Sequence, residues 1–229
     1  MRPTIATFDC YGTLIDWEGG FGSFLYSKAL ALGEEEPPRG RDLRERFEAI
    51  QFELIQGTHR PYKEILAETM RRFCEEHDWP CDDADSAALV RAMRSWQPFP
   101  DTRPALGRVR AAGMRLMIVS NTDRDIMAHS LRHLEVPFDI VQVAEDVGAY
   151  KPSDAVFSAA LERIGEPPER VLHVAFGFKY DIGPAHRAGM NTAWVNRHQE
   201  PPPGATPYDH EWRDLWGLAS LAERLAAES

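Results

Sequence analysis

The sequence predicts an α/β fold: a parallel sheet with helices on both faces, interrupted after its first strand by an all-helical block. Three observations carry that prediction. Short apolar runs rich in Val and Ile recur along the chain, nearly continuous, as strands buried on both faces must be. Amphipathic helical patterns separate several of them, and strand–helix alternation demands parallel pairing with helical crossovers. Residues 17–97, by contrast, hold helical pattern and no convincing strand.

The first strand is Ile5–Phe8, which runs into Asp9 and a Gly-Thr turn. Helical stretches come next: "FGSFLYSKALALG" from Phe21, "RDLRERFEAIQFELIQG" from Arg41, "YKEILAETMRRFCEEH" from Tyr62 and "DSAALVRAMRSW" from Asp85. The run "EEEPPRG" separates the first pair. After "QPFPD" the alternation resumes. "DTRPALGRVRAAG" sets Ala105, Leu106, Val109 and Ala112 on one face and stops at Gly113. Strands "LMIVS" from Leu116 and "IVQVA" from Ile140 follow. "SDAVFSAALERIG" has Ser153 as its N-cap signal, an apolar face of Val156, Ala160, Leu161 and Ile164, and Gly165 as its stop. Strands "VLHVA" from Val171 and "TAWVN" from Thr192 come last. "QEPPPGATPYD" reads as a proline-rich surface loop and "GLASLAERLAAE" as a final amphipathic helix. The expected division is a core of residues 1–16 and 98–229 carrying a helical domain of residues 17–97.

A chain of 229 residues is long enough to bury a core. Its 43% hydrophobic and 27% charged residues are ordinary for a soluble globular protein. A formal net charge of -10 argues against a nucleic-acid partner, which asks for a basic face. It leaves room for a small anionic substrate held by local cations. The three cysteines, Cys10, Cys74 and Cys81, make no disulfide framework. No apolar stretch approaches the roughly 20 residues that span a bilayer, and "MRPTIATFDC" lacks a signal-peptide pattern. The expected setting is reducing and cytoplasmic, without a membrane partner.

Open parallel sheets collect their reactive groups beyond the carboxyl ends of the strands. Four such ends carry polar residues here: Asp9, then Ser120 with Asn121, then Lys151, then Asp181. A carboxylate in that place can act as a nucleophile, provided a cation such as Lys151 keeps it ionised. Ser120 and Asn121 offer hydrogen bonds to substrate oxygens, and Thr13 stands in the turn where it can fix the Asp9 rotamer. Each residue singly has an ordinary use: a turn-capping Asp, a solvated Lys before Pro, "SNTD" opening a helix. Their joint occurrence, in order, at four strand ends favours a site. Strand alternation turns Cys10 toward the core. His173, inside a strand, reads as a packing residue, and His186 as a surface residue. Trp17, Phe47 and Tyr62 are candidates for the wall of a small apolar pocket, or for simple packing.

With these residues in this order, the chain resembles the haloacid dehalogenase superfamily over nearly its whole length. "FDCYGTL" resembles the first motif, with Asp9 as nucleophile, and "IVSNTD" the second, through Ser120 and Asn121. "AEDVGAYKP" resembles the third, through Lys151, and "HVAFGFKYDIGPAHRAGMNTAWVNR" the fourth, with Asp181 as its retained acid. The resemblance implies a Rossmann-like core and makes residues 17–97 the family's helical cap. It is closest to the (S)-2-haloacid dehalogenase branch, whose substrates are small 2-halocarboxylic acids. That branch implies that Asp9 attacks C2, expels halide with inversion and forms an ester. Water oriented by Lys151 and Asp181 then hydrolyses the ester. Tyr11 is implied in the halide or substrate pocket. A cap arginine is implied in halide binding, with Arg44 chosen over Arg41 and Arg46. No metal and no cofactor are implied, and a homodimer formed through the cap is compatible with such a fold.

The superfamily's phosphatases carry a second aspartate two residues after the nucleophile, where it protonates a poor leaving group beside Mg²⁺. Tyr11 occupies that position here, and a phenol of pKa about 10 suits the task badly. A halide leaves without a proton. The chain departs from the dehalogenase pattern at Ala175–Phe178, where a Ser and an Asn are missing, and at Phe157, where a tyrosine is frequent. Lys179 divides between a cation in the metal's place and a surface residue. Three readings stay open beside 2-haloacid hydrolysis. They are a Mg²⁺-dependent phosphatase, a hydrolase of another C–X bond in a small carboxylic acid, and a non-catalytic protein that keeps the fold.

Overall fold

The computed structural model describes residues 2–34 and 41–228, with the side chains of residues 41 and 42 outside that description. Most of the expected helix break "EEEPPRG" therefore lies outside the described residues. The strands are β1 (Ile5–Phe8), β2 (Arg115–Ser120), β3 (Ile140–Val143), β4 (Val171–Ala175), β5 (Asn191–Val195) and β6 (His210–Trp212). They form one six-stranded sheet in the order β3-β2-β1-β4-β5-β6, every pair parallel. β1 lies between its two main partners, with Ile5 opposite both Arg115 and Val171. Ala6, Phe8, Leu116, Ile118, Leu172 and Val174 pack on one face, while Ile5, Met117, Val119 and Val171 pack on the other. That period of two, apolar on both sides, is why these strands read as continuous hydrophobic runs.

Ten α-helices are described: α1 (Trp17–Ala31), α2 (Arg41–Ile55), α3 (Tyr62–Glu76), α4 (Asp83–Met93), α5 (Thr102–Ala111), α6 (Arg124–Leu134), α7 (Ala144–Val147), α8 (Asp154–Ile164), α9 (Gly183–Arg187) and α10 (Trp216–Ala227). α1 begins at Trp17, one turn earlier than the apolar pattern suggests, because Asp16 caps it by accepting from the Gly19 N–H at 2.9 Å. α4 is closed by a reciprocal capping box between Asp82 and Asp85. Ser153 does occupy the N-cap position of α8, but its side chain makes no capping hydrogen bond. β6 and α7 carry no usable sequence signal, being only three and four residues long.

α1 to α4 all lie between β1 and β2 in the chain, and the ends of this insert run side by side. The Asp16 N–H donates to the Gln97 carbonyl at 2.9 Å and the Phe99 N–H to the Leu14 carbonyl at 3.1 Å. The insert also docks onto the sheet region farther along. The carboxylate of Asp123, at the head of α6, accepts from the Tyr62 N–H at 2.8 Å and the Lys63 N–H at 3.0 Å. These are among the donors that a helix start leaves unsatisfied, and negative charge is favoured there. The Tyr150 hydroxyl adds a bond to the Arg60 carbonyl at 2.8 Å.

Gly12 makes the turn after Asp9 possible. Its φ is +94°, and a Cβ there would sit 3.0 Å from Trp17 Nε1 and 3.2 Å from Phe176 Cδ1. Left-handed strain and crowding add. Gly12→Ala is expected to lower the unfolding free energy by about 1–3 kcal/mol in a urea titration with unchanged slope. A shift inside the error of the midpoint would show that the turn relaxes freely.

Candidate active site

Asp9 follows β1 directly, and its N–H is held by the Val174 carbonyl of β4 at 3.3 Å. Its two oxygens have different partners. Oδ1 accepts from Lys151 Nζ at 2.8 Å, and Oδ2 accepts from Thr13 Oγ1 at 2.9 Å. Thr13 Oγ1 in turn accepts from the Phe176 N–H at 3.0 Å, which ties the Asp9 rotamer to the loop after β4. Lys151 is 1% exposed, and its ammonium also donates to Asp181 Oδ1 at 2.6 Å. Asn121 clamps the backbone of that lysine: Oδ1 accepts from the Lys151 N–H at 2.7 Å and Nδ2 donates to the Lys151 carbonyl at 3.0 Å. The Asn121 side-chain amide thus positions the lysine, whereas the sequence suggested substrate oxygens as its partners.

Asp181 is presented by a π-helical turn, Phe178–Ile182, in which the N–H groups of Asp181 and Ile182 both reach the Gly177 carbonyl. Its Oδ1 lies 3.1 Å from His173 Nε2. A carboxylate only accepts, so Nε2 carries a hydrogen, while Nδ1 lies 2.8 Å from the Thr7 hydroxyl. Thr7 and His173 face each other across the β1–β4 pairing. The sequence reading treated His173 as packing. The ring does pack edge-on against Phe157, 5.4 Å between centroids, and it also orients the second aspartate.

Burial pushes the Asp9 carboxyl above the ordinary aspartate value, an effect that Lys151 opposes and Asp181 reinforces. At Asp181 burial acts in the same upward sense, but Lys151 and His173 outweigh it and hold the group low. Desolvation would discharge Lys151, yet the two carboxylates more than compensate and keep it protonated. Asp9 and Asp181 are both committed to that one ammonium. Among the described residues no group of three or more His, Cys, Asp or Glu is placed to hold a metal ion.

This charge array forms the floor of a cavity of about 720 Å³. Ser120 also lines it, and its buried Oγ has no hydrogen-bond partner among the described residues. Trp17, Phe47 and Tyr62 line the wall as expected, but the space is larger than the small pocket foreseen. Tyr11 lines it too. Its hydroxyl is bonded to Ser130 Oγ at 2.8 Å, and burial pushes its pKa well above that of a free phenol. Glu48, unremarked in the sequence, is another lining residue. Desolvation raises its carboxyl to about 7, with Arg44 opposing and Glu18, Glu45 and Glu200 reinforcing.

Arg44 is not among the lining residues, and its guanidinium pairs with Glu18 at 2.5 Å. Arg46 pairs with Glu76 on the surface, and the Arg41 side chain lies outside the description. Lys179 does line the cavity, but its ammonium sits 2.9 Å from the centroid of the Phe52 ring. The phenyl face, not a carboxylate, is its neighbour. Cys10 is fully buried in the core, and His186 is exposed.

The parallel sheet thus brings Asp9 after β1, Lys151 from the segment beyond β3 and Asp181 after β4 together at one end. The chain belongs to the haloacid dehalogenase-like hydrolases, whose family profile matches residues 4–189. It is similar to haloacetate dehalogenase H-2 of Moraxella sp. (strain B), at 27% identity over 199 residues, covering 83% of this chain and 84% of the relative. It is also similar to (S)-2-haloacid dehalogenase H-109 of Pseudomonas putida, at 28% identity over 217 residues, covering 91% and 92%. Its fold is like that of the L-2-haloacid dehalogenase of Xanthobacter autotrophicus, with a TM-score of 0.82 at 20% identity and coverage of 96% and 98%. That enzyme is also known with chloropropionic acid covalently bound.

Removing the ammonium would leave two buried carboxylates facing one another. Lys151→Met is expected to cost about 3–5 kcal/mol of stability near neutral pH. The loss should shrink as pH falls, because protonating either aspartate relieves the repulsion. Denaturation at pH 7 and pH 5 reads both effects, and equal stability of variant and wild type at pH 7 would contradict this picture.

Proposed function

We propose that this protein hydrolyses a 2-substituted carboxylic acid, most simply a 2-haloacid, by displacement from Asp9 without a metal ion. The observation that carries the reading is the Asp9 carboxylate at the cavity floor, fixed by Thr13 on one oxygen and by the buried Lys151 ammonium on the other. Asp9 attacks C2, the C–X bond breaks, halide departs with the bonding pair, and an ester forms on the Asp9 side chain. Water then adds to the ester carbonyl carbon, the acyl C–O bond breaks, and the proton that the water gives up ends on the departing alkoxide oxygen. Lys151 stabilises the oxyanion that develops, Asp181 keeps Lys151 charged and in place, and the hydroxy acid leaves. Ser120 offers its unpartnered hydroxyl to the substrate carboxylate.

Metal independence is supported by the Lys151 ammonium, which already pairs with one oxygen of each carboxylate. Tyr11 stands where a phosphatase would keep an acid, and its hydroxyl is engaged by Ser130. A halide needs no proton from it. Residues 17–97 act in this reading as a cap over the site, because helices α1, α2, α3 and α4 supply much of the apolar wall. One observation favours a second reading. Arg44 pairs with Glu18 and is not among the lining residues, which does not support the halide cradle expected of it. A leaving group other than halide on the same carbon fits that wall equally well.

Halide release from 2-chloro- and 2-bromopropanoate should be insensitive to EDTA and vanish in Asp9→Asn. Loss of turnover on chelation, with p-nitrophenyl phosphate hydrolysed on adding Mg²⁺, would point to the phosphatase instead. The pH profile has a predicted sign. Only ionised Asp9 attacks, and its pKa is raised from the ordinary 3.8. Activity should therefore fall with acid in a limb of kcat/KM lying above pH 3.8. An acid limb at or below that value would speak against Asp9 as the titrating nucleophile.

A further inference from the structure

The cavity is far larger than a 2-halopropanoate requires. Such an acid has six heavy atoms, and even at the roughly 30 Å³ that a water takes in the liquid, these fill on the order of 180 Å³. The cavity offers about 720 Å³, in the range of sites that enclose much larger organic ligands. Four polar groups of the lining, Asp9, Lys151, Asp181 and Ser120, are buried together. Apolar side chains from both halves of the molecule make up most of the remaining wall, with Glu45, Glu48, Gln51, Lys179, Glu200 and Thr206 interspersed. Phe21, Leu89 and Met93 come from the insert, and Phe176, Phe178 and Trp194 from the sheet side. The stretch Ala175–Phe178, which lacks the polar pair of the dehalogenase pattern, contributes two of these rings. Several wall residues cannot easily withdraw: Phe21, Leu89 and Met93 are buried to within 2%. Phe178 is locked edge-on against Trp194 with centroids 4.8 Å apart. Lys151 is bound to two aspartates, and Lys179, an exposed residue of the lining, lies over the Phe52 ring.

We infer that the substrate is a carboxylic acid bearing a bulky apolar substituent, aryl or long alkyl, that fills this wall while its reacting carbon rests on Asp9. The inference rests on the proposed placement of the substrate at Asp9, and it is independent of the leaving group. A wall made mostly of apolar side chains rewards apolar surface, each buried methylene raising affinity about fourfold.

Calorimetric titration of the wild-type protein with the unreactive acids propanoate, hexanoate and 3-phenylpropanoate tests it. The Kd is expected to fall at least about tenfold across the series. Ala49, an exposed lining residue on α2, allows the space to be blocked without touching the floor. Ala49→Trp should remove most of the gain for 3-phenylpropanoate. A flat series overturns the inference, and so does a graded series that Ala49→Trp leaves unchanged, because binding would then lie elsewhere. Parallel halide assays with 2-bromopropanoate and 2-bromo-3-phenylpropanoate keep the two proposals apart. Halide release with flat binding sinks only the substituent. Graded, Ala49-sensitive binding with no halide released from either acid sinks only the halide.

Discussion

The site depends on one buried ammonium. Lys151 sits between two carboxylates with almost no contact with water, where an isolated charge would cost several kcal/mol to hold. That cost is offset only if all three groups stay in register: Lys151 Nζ within 2.8 Å of Asp9 and 2.6 Å of Asp181. The requirement reaches into the sheet. Asp9 must end a strand that lies beside the strand leading to Asp181, and Asn121 must grip the lysine backbone from the other side. Parallel pairing with β1 in the middle meets all of these conditions at once. Any slip of a strand by one residue would turn Asp9 to the wrong face.

The insert is tied to this arrangement by charge as well as by packing. Asp123 belongs to the same loop as Ser120 and Asn121, yet its carboxylate serves the first turn of α3. The residue pair that lines the cavity and the residue that anchors the insert are thus three positions apart at most. Motion of the insert over the site would have to pull on that loop. Trp17, from the insert, and Phe176, from the loop after β4, both crowd the Gly12 backbone.

Family membership and the geometry meet at the floor of the cavity, and they part at the wall. The floor holds the groups that the resemblance to 2-haloacid dehalogenases singles out. Arg44 is not among the lining residues, and the loop after β4 presents aromatic rings where the dehalogenase pattern has polar side chains. Related folds vary chemistry by changing such loops while keeping the strand ends. A change of substituent or of leaving group needs no change in the aspartate, the lysine or the sheet.

The sequence by itself determined five of the six strands and named the polar residues at their ends. Buried strands must be apolar on both faces, and reactive groups of a parallel sheet must come at strand ends, so Ile5–Phe8 with Asp9 and Val171–Ala175 ahead of Asp181 were readable from local pattern. Tertiary structure alone decided the rest. Periodicity says which face of a helix is buried but not what it meets, so the pairing of Arg44 with Glu18 on a different helix was invisible. His173 looked like packing because its partners, Thr7 and Asp181, are defined by the β1–β4 pairing and by a π-helical turn. Asn121 read as a substrate group because nothing local shows that a loop thirty residues on brings the Lys151 backbone to it. The cavity is the clearest case. Its volume is what remains after side chains from the insert helices and the strand ends have packed, and no stretch of sequence contains a difference between surfaces that meet only in three dimensions.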